Sequence, residues 1–272
     1  MAPLRLLAVM AHPDDETLGF GGTIARYSQE GVETFLITAT RGEKGWWGPE
    51  AEYPGATELG KLREAELRSA AAQLGITELQ FLDYIDGELD AVETAEVTRA
   101  IANAIRRIRP DVVITFGPDG VYGHPDHIAI CQFTTAAVLR AASNDGELES
   151  SPFSTPKLYY GATTRDHLDA YESVFGELVM NIDGLERRSQ GVPEWGVTTR
   201  LDTSEQWETV WKAVQCHRSQ LPAYEKLASL APAHHAALWG RQDFYRVYST
   251  VNGGREREND LFVGLRHQEE AS

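Results

Sequence analysis

Two short clusters hold most of the side chains that could bind a metal or move a proton. One is Ala11-His12-Pro13-Asp14-Asp15-Glu16; the other is Tyr122-Gly123-His124-Pro125-Asp126-His127. Imidazole and carboxylate are good zinc ligands, and a catalytic zinc site takes three protein ligands and leaves the fourth position to water. His12 and Asp15 from the first cluster and His127 from the second make such a set. Asp14 is left free to take a proton. Hydrolysis by metal-activated water is the chemistry this combination suits. A proline follows a histidine in each cluster, fixing its own φ and biasing the histidine away from helix. The plain alternative is that Asp14, Asp15 and Glu16 cap a helix. A lone His-Pro-Asp-Asp reads that way; two such clusters, each after a strand, do not.

The elements that must position these clusters follow from periodicity. Apolar strand patterns cover residues 5–11, 33–40, 79–84 and 111–116, with later ones at 157–162 and 178–182. Helical patterns cover 18–29, 57–74, 94–108 and 128–142. Strands alternating with helices imply a Rossmann-like α/β fold: a doubly wound, mostly parallel sheet with helices on both faces. Both clusters then stand at carboxyl ends of strands. In the order 3-2-1-4-5 the first and fourth strands are neighbours at the reversal, where ligands bind. Residues 1–251 read as one domain and 252–272 as a polar tail with a short apolar anchor at Leu261, Phe262, Val263 and Leu265.

Gly19, Gly21 and Gly22 invite a dinucleotide reading, but Ile24 stands where the fingerprint needs Gly or Ala. The acidic cluster also sits where a pyrophosphate would. Nicotinamide chemistry is excluded. With a net charge of -16 among 272 residues, the surface repels nucleic acid and anionic lipid. Cys131 and Cys216 form no metal or redox motif. The short N-terminal apolar run is neither a signal peptide nor a membrane span, so the cytoplasm is the default expectation.

The motifs Ala11–Glu16 and Tyr122–His127 together resemble the LmbE-like (PIG-L) zinc deacetylase family, which includes N-acetylglucosaminyl-phosphatidylinositol deacetylases and the deacetylases of mycothiol and bacillithiol synthesis. Supporting features are Thr40-Arg41-Gly42-Glu43, Arg63-Glu64-Ala65-Glu66, Asp83-Tyr84-Ile85-Asp86-Gly87 and His217-Arg218-Ser219-Gln220, so that the likeness spans residues 4–249. Gln242 departs from an acidic position common near the family's C-terminus. The resemblance implies Zn2+ on His12, Asp15 and His127, one ion per chain, with Fe2+ the alternative. It implies Asp14 as general base, His124 held by Asp126 to stabilise charge, and Tyr122 assisting the transition state. Arg63 and Asp86 would grip sugar hydroxyls, with His217 near the substrate. The implied activity is removal of N-acetyl from an N-acetylglucosamine-containing small molecule. The competing expectations are an amidase acting on a larger thiol-sugar conjugate and a non-catalytic sugar-binding protein. Homo-oligomerisation stays open.

Other residues have weaker claims. Trp46, Trp47 and Tyr53 lie in a long loop that could stack on a sugar or pack on the body. Trp195 and Trp239 read as packing residues. Taken alone, His217 continues the apolar stripe of Trp207, Val210, Trp211 and Val214 as a buried histidine. His234 and His235 read as exposed.

Overall fold

The structure is a computed structural model, and it describes residues 2–266 apart from 178, 183 and 255. Strand β1 (Arg5–Met10) is followed by the short helix α1 (Asp15–Leu18) and by α2 (Gly21–Gln29). Then come β2 (Glu33–Thr40), α3 (Ala56–Leu74), β3 (Glu78–Tyr84) and α4 (Thr94–Ile108). Strand β4 (Val112–Thr115) leads through the single turn α5 (Gly120–Gly123) into α6 (Pro125–Ala142) and β5 (Lys157–Gly161). Helix α7 (Arg165–Phe175) and the strands β6 (Val179–Ile182) and β7 (Leu185–Arg188) come next. The described chain closes with β8 (Thr199–Asp202), α8 (Trp207–Val214), α9 (Pro232–Trp239) and β9 (Arg241–Ser249).

The main sheet has the order β3-β2-β1-β4-β5-β9-β8, parallel from β3 to β5 and antiparallel at both β9 contacts. This is the Rossmann-like fold expected from the alternating pattern. Leu6 to Met10 and Val112 to Ile114 are at most 1% exposed, as central strands covered on both faces must be. Helices α4 and α6 pack together, and α8 packs against α2 and α3. The order reverses between β1 and β4, so the loops leaving these two strands face each other over one crevice.

One expected helix is broken. The pattern over 18–29 divides at Gly19 and Phe20. There Gln242 accepts the backbone N–H of Thr23 at 2.6 Å and donates to the Gly19 carbonyl at 2.8 Å. A side chain from β9 thus satisfies backbone groups that the break releases, and Phe20 turns inward beside Phe116 and Phe244. The expected strand at 178–182 starts at Val179; Leu178 lies outside the described residues. Among the described residues no helix is long and apolar enough to cross a membrane.

The segment read as a polar tail is bound to the body as far as it is described; residues 267–272 lie outside the description. Leu261 and Phe262 are fully buried, and the Tyr27 hydroxyl donates to Asp260 and accepts from the Leu261 N–H. Glu258 explains why a charged segment can anchor so deeply. Its carboxylate accepts from Lys157, Thr199, Tyr159 and Arg246. Burial alone would raise its pKa, but donors led by Lys157 outweigh this and pull it from 4.5 to about 2. Deprotonated Glu258 therefore stabilises the fold above pH 4.5, and that contribution fades as pH falls through about 2. Glu258→Gln should lower stability by about 3 kcal/mol at pH 7. In chemical denaturation the gap to the parent should close between pH 4.5 and about 2; a gap that persists at pH 2 would show that charge is not its source.

Candidate active site

The carboxyl ends of β1 and β4 bring the two clusters into one cavity of about 730 Å³. His127 Nε2 lies 3.3 Å from Asp15 Oδ1 and 3.3 Å from His12 Nδ1. Tetrahedral zinc with bonds of 2.0–2.1 Å sets neighbouring ligand atoms about 3.3 Å apart. Both distances from His127 Nε2 thus match that spacing, and all three ligand atoms lie within 4.8 Å of one another. Each is also free and aimed by its other atoms. Asp15 Oδ2 accepts the backbone N–H groups of His12 at 2.7 Å and Ala11 at 3.2 Å, leaving Oδ1 toward His127. His127 Nδ1 faces the Gly120 carbonyl at 3.3 Å, a contact that places the ring proton away from Nε2. His12 turns Nε2 toward Asp126 Oδ2 at 3.0 Å and Asp86 Oδ1 at 3.1 Å, leaving Nδ1 toward the other two ligands. A second grouping of His12, His124 and Asp126 also lies within ligand reach. It is the weaker set, because Asp126 Oδ2 is already bonded to His12 and to the Gly87 N–H.

Asp14 stands outside the ligand set with φ 109° and ψ -24°, a strained backbone for a residue other than glycine. Its carboxylate lies 3.3 Å from Arg63 Nη2 and lines the cavity. Burial pushes its pKa up to about 6; Arg63 opposes the rise and Asp15 adds to it. A carboxylate with a pKa in that range is a competent base near neutral pH. The second cluster is strained too. Val121, a β-branched residue, has φ 69° and is flanked by Gly120 at 62°. This kink carries Tyr122 into the cavity, edge-on to His124 and His127. Burial raises the Tyr122 pKa, so its hydroxyl stays a donor.

Four expectations change. First, Asp126 was expected to hold His124 and favour its charge. Its carboxylate instead grips His12 and the N–H groups of Gly87 and Leu89. Only the Asp126 backbone N–H reaches His124, donating to Nδ1 at 3.1 Å. Burial, aided by His12 and His127, pushes the His124 pKa down to about 4. The ring is neutral at pH 7, with its proton on Nε2. Second, Asp86 was assigned to sugar hydroxyls. It lines the cavity, but one oxygen meets His12 and the other accepts the Lys44 N–H at 3.0 Å.

Third, Arg63 was assigned to sugar hydroxyls, and it lines the cavity but is largely engaged by the protein itself. It is 3% exposed and donates to the carbonyls of Gly42 and Pro13. Glu64 pairs with Arg41 and Arg68. A Cβ on Gly42 would come within 2.2 Å of Arg63 Nη1, and one on Gly45 within 2.3 Å, so both glycines make room for the guanidinium. Fourth, His217 does not line the cavity. It is buried behind Asp14, with Nε2 2.9 Å from Glu16 Oε1.

Of the aromatic residues, Trp47 and Trp239 line the cavity, while Trp46 packs its own loop by donating to the Pro49 carbonyl. Trp195 is 86% exposed, so it is not a packing residue. His235 is buried in a stack with Trp207 and Trp239, contrary to its expected exposure. Sequence reasoning missed Tyr171 and Tyr224 on the cavity wall, and no motif marks either. It also missed Gly42 and Gly45 as partners of Arg63; the positive φ of Gly42 has a turn-like signature in Thr40–Glu43.

Comparison with known proteins places this geometry in a family. Residues 7–138 match the family described as PIG-L, GlcNAc-PI de-N-acetylase. A curated relative from Rhodococcus erythropolis, 1D-myo-inositol 2-acetamido-2-deoxy-alpha-D-glucopyranoside deacetylase, is 36% identical, with 96% of this chain and 97% of the relative covered. The relative of the same name from Actinosynnema mirum is also 36% identical, over 97% of this chain and 98% of its own. Among solved structures, N,N'-diacetylchitobiose deacetylase from Pyrococcus horikoshii shares the fold at TM-score 0.65 and 21% identity, over 89% of this chain and 83% of that one. The 4-carboxy-2-hydroxymuconate hydratase of Pseudomonas putida shares it at TM-score 0.64 and 19% identity, over 92% and 99%. The chain belongs to the PIG-L (LmbE-like) family and is an amide-hydrolysing enzyme of the deacetylase class.

Two outcomes test the geometry. Asp126→Asn should weaken divalent-metal affinity about 10–100-fold in competition with a chelator, because His12 loses the carboxylate that aims it. Unchanged affinity would deny Asp126 that role. Arg63→Lys has one ammonium in place of a fork. It should lose about 1–3 kcal/mol of stability in denaturant titration and lower kcat. A change confined to KM would restore the sugar-gripping reading.

Proposed function

We propose that this enzyme removes the N-acetyl group from an N-acetylglucosamine unit of a small glycoside, with zinc held by His12, Asp15 and His127 and Asp14 as general base. The observation that carries the reading is the largely buried Asp14 carboxylate, its side chain 14% exposed, unused by the ligand set and standing beside it in the cavity. The relatives' named substrate, an inositol glycoside of a 2-acetamido sugar, supports the substrate class.

A bound zinc ion supplies Lewis acidity and lowers the pKa of water to about 7. Asp14 accepts the proton of the attacking water and can return it to the leaving amine. The Nε2–H of neutral His124 and the Tyr122 hydroxyl are the donors available to the developing oxyanion. Arg63 holds the Asp14 carboxylate and ties its loop to Gly42, while Asp86 and Asp126 fix the His12 ring.

One observation favours a second reading. Away from the two clusters the cavity wall carries large apolar and aromatic side chains, Tyr171, Phe175, Met180 and Trp239, among charged ones. Such a wall suits an amide in a larger conjugate better than a bare polyol, whose hydroxyls each need a partner.

Asp14→Asn should retain stoichiometric zinc and lose kcat by about 10²-fold or more. Near-normal turnover of the zinc-loaded variant removes Asp14 from the base role. Acetate release should be measured from N-acetylglucosaminides carrying inositol or an aryl group. A higher kcat/KM on the inositol glycoside supports the first reading. A higher value on the aryl glycoside supports the larger conjugate. No release from either overturns the sugar assignment.

A further inference from the structure

The mechanism leaves two buried ionisable residues unused. Glu16 is fully buried and His217 is 1% exposed. A buried ionised group is a poor source of stability for its own sake, so what its oxygens hold is the informative question. Glu16 Oε2 accepts the Asp14 N–H at 3.0 Å. Glu16 Oε1 takes His217 Nε2 at 2.9 Å, together with the Thr17 hydroxyl. An ionised carboxylate only accepts, so His217 must donate through Nε2. One side chain therefore joins the strained Asp14 backbone to a histidine 201 residues away.

That histidine is anchored independently. Ser219, two residues on, donates its N–H and hydroxyl to Glu66 of α3 at 2.8 and 2.7 Å. Gln220 donates to the Gly45 carbonyl at 2.8 Å, in the loop that also surrounds Arg63. The turn bearing His217 is thus fastened to α3 and to the Gly42–Gly45 loop before it touches Glu16. Asp14 is then restrained on every side. Its carbonyl accepts from Thr17 and Leu18, its carboxylate meets Arg63, and its N–H meets Glu16. The Glu16 bond is the one that fixes the Asp14 N–H, and its loss would let φ relax from 109° and swing the carboxylate away from the ligand set.

We propose that Glu16 and His217 form a buried positioning pair: the anchored His217 orients Glu16, and Glu16 holds Asp14 in the strained pose that points its carboxylate into the cavity. This rests on Asp14 as the base. The pair touches neither substrate nor metal and acts on the reaction through Asp14 alone.

Glu16→Met keeps the side-chain length but removes both accepting oxygens, so it releases Asp14 and His217 together. His217→Ala removes the anchor and leaves Glu16 intact. Zinc content, Tm, KM and kcat should be measured for both variants and for Asp14→Asn. Assayed well below each variant's Tm, both should keep stoichiometric zinc and hold KM within about twofold, while kcat falls by about tenfold or more. Unchanged kcat in both variants would overturn the pair. So would loss of zinc in step with kcat, which would make the two residues general supports of the metal loop. Near-normal kcat in Asp14→Asn defeats the base assignment, and the positioning pair falls with it.

Discussion

The site depends on His12 having two nitrogens and using both. Nδ1 faces His127 and Asp15, and Nε2 faces Asp126 and Asp86. A ring cannot turn without breaking both sets, so the direction of Nδ1 is fixed from behind. The two carboxylates come from different places. Asp126 opens α6 after β4, and Asp86 follows β3. Asp126 also accepts the N–H groups of Gly87 and Leu89, so the loop after β3 is tied to α6 at the same point. One imidazole therefore registers three strand ends, and the sheet order decides which three can meet. Such outer contacts to a ligand histidine commonly set metal affinity.

The same corner gathers Asp14, Asp15, Glu16, Asp86 and Asp126, all buried or nearly so. Carboxylates this close repel one another and resist leaving water. The structure separates them by giving each a different partner. Asp15 takes backbone N–H groups and faces His127, Asp86 and Asp126 share His12, and Glu16 takes His217. Asp14 has Arg63 as its charged contact among the described residues, and its pKa is pushed up while those of Asp15, Asp86 and Asp126 are pulled down. Burial leads that rise, and the negative charge of Asp15 adds to it.

The fold and the meeting of the two clusters in one cavity were legible in the sequence because they follow from local signals. Strand patterns at 5–11 and 111–116 placed both clusters at strand ends, and the ligand types named their chemistry. What the sequence did not disclose was the assignment of partners over long separations. Asp126 sits two residues from His124, yet its carboxylate belongs to His12, 114 residues earlier. Arg63 has Glu64 and Glu66 within a turn, yet it reaches Pro13 and Asp14 across 50 residues. Local charge pairs are easy to read and weak in water; buried ones are decided by which loops the sheet brings together. The break at Gly19 was hidden for the same reason, since Gln242 satisfies it from β9.

A shared fold leaves the reaction open, since function resides in the site carried by the fold. The crevice at the strand reversal is a consequence of topology and would exist with any side chains there. What makes it hydrolytic is a small set of choices on top of that crevice. Three ligand atoms are left free while their other atoms are engaged. One carboxylate is kept out of the ligand set and starved of hydrogen-bond donors. A neutral imidazole and a tyrosine face the same space. The backbone strain at Asp14 and Val121 falls on the two residues that bring the Asp14 carboxylate and the Tyr122 ring to the cavity. Strain of this kind persists only where surrounding contacts over-determine it. Arg63, Glu16 and the α1 backbone supply those contacts at Asp14, so the pose of its carboxylate is fixed by neighbours bonded to its side chain, its N–H and its carbonyl.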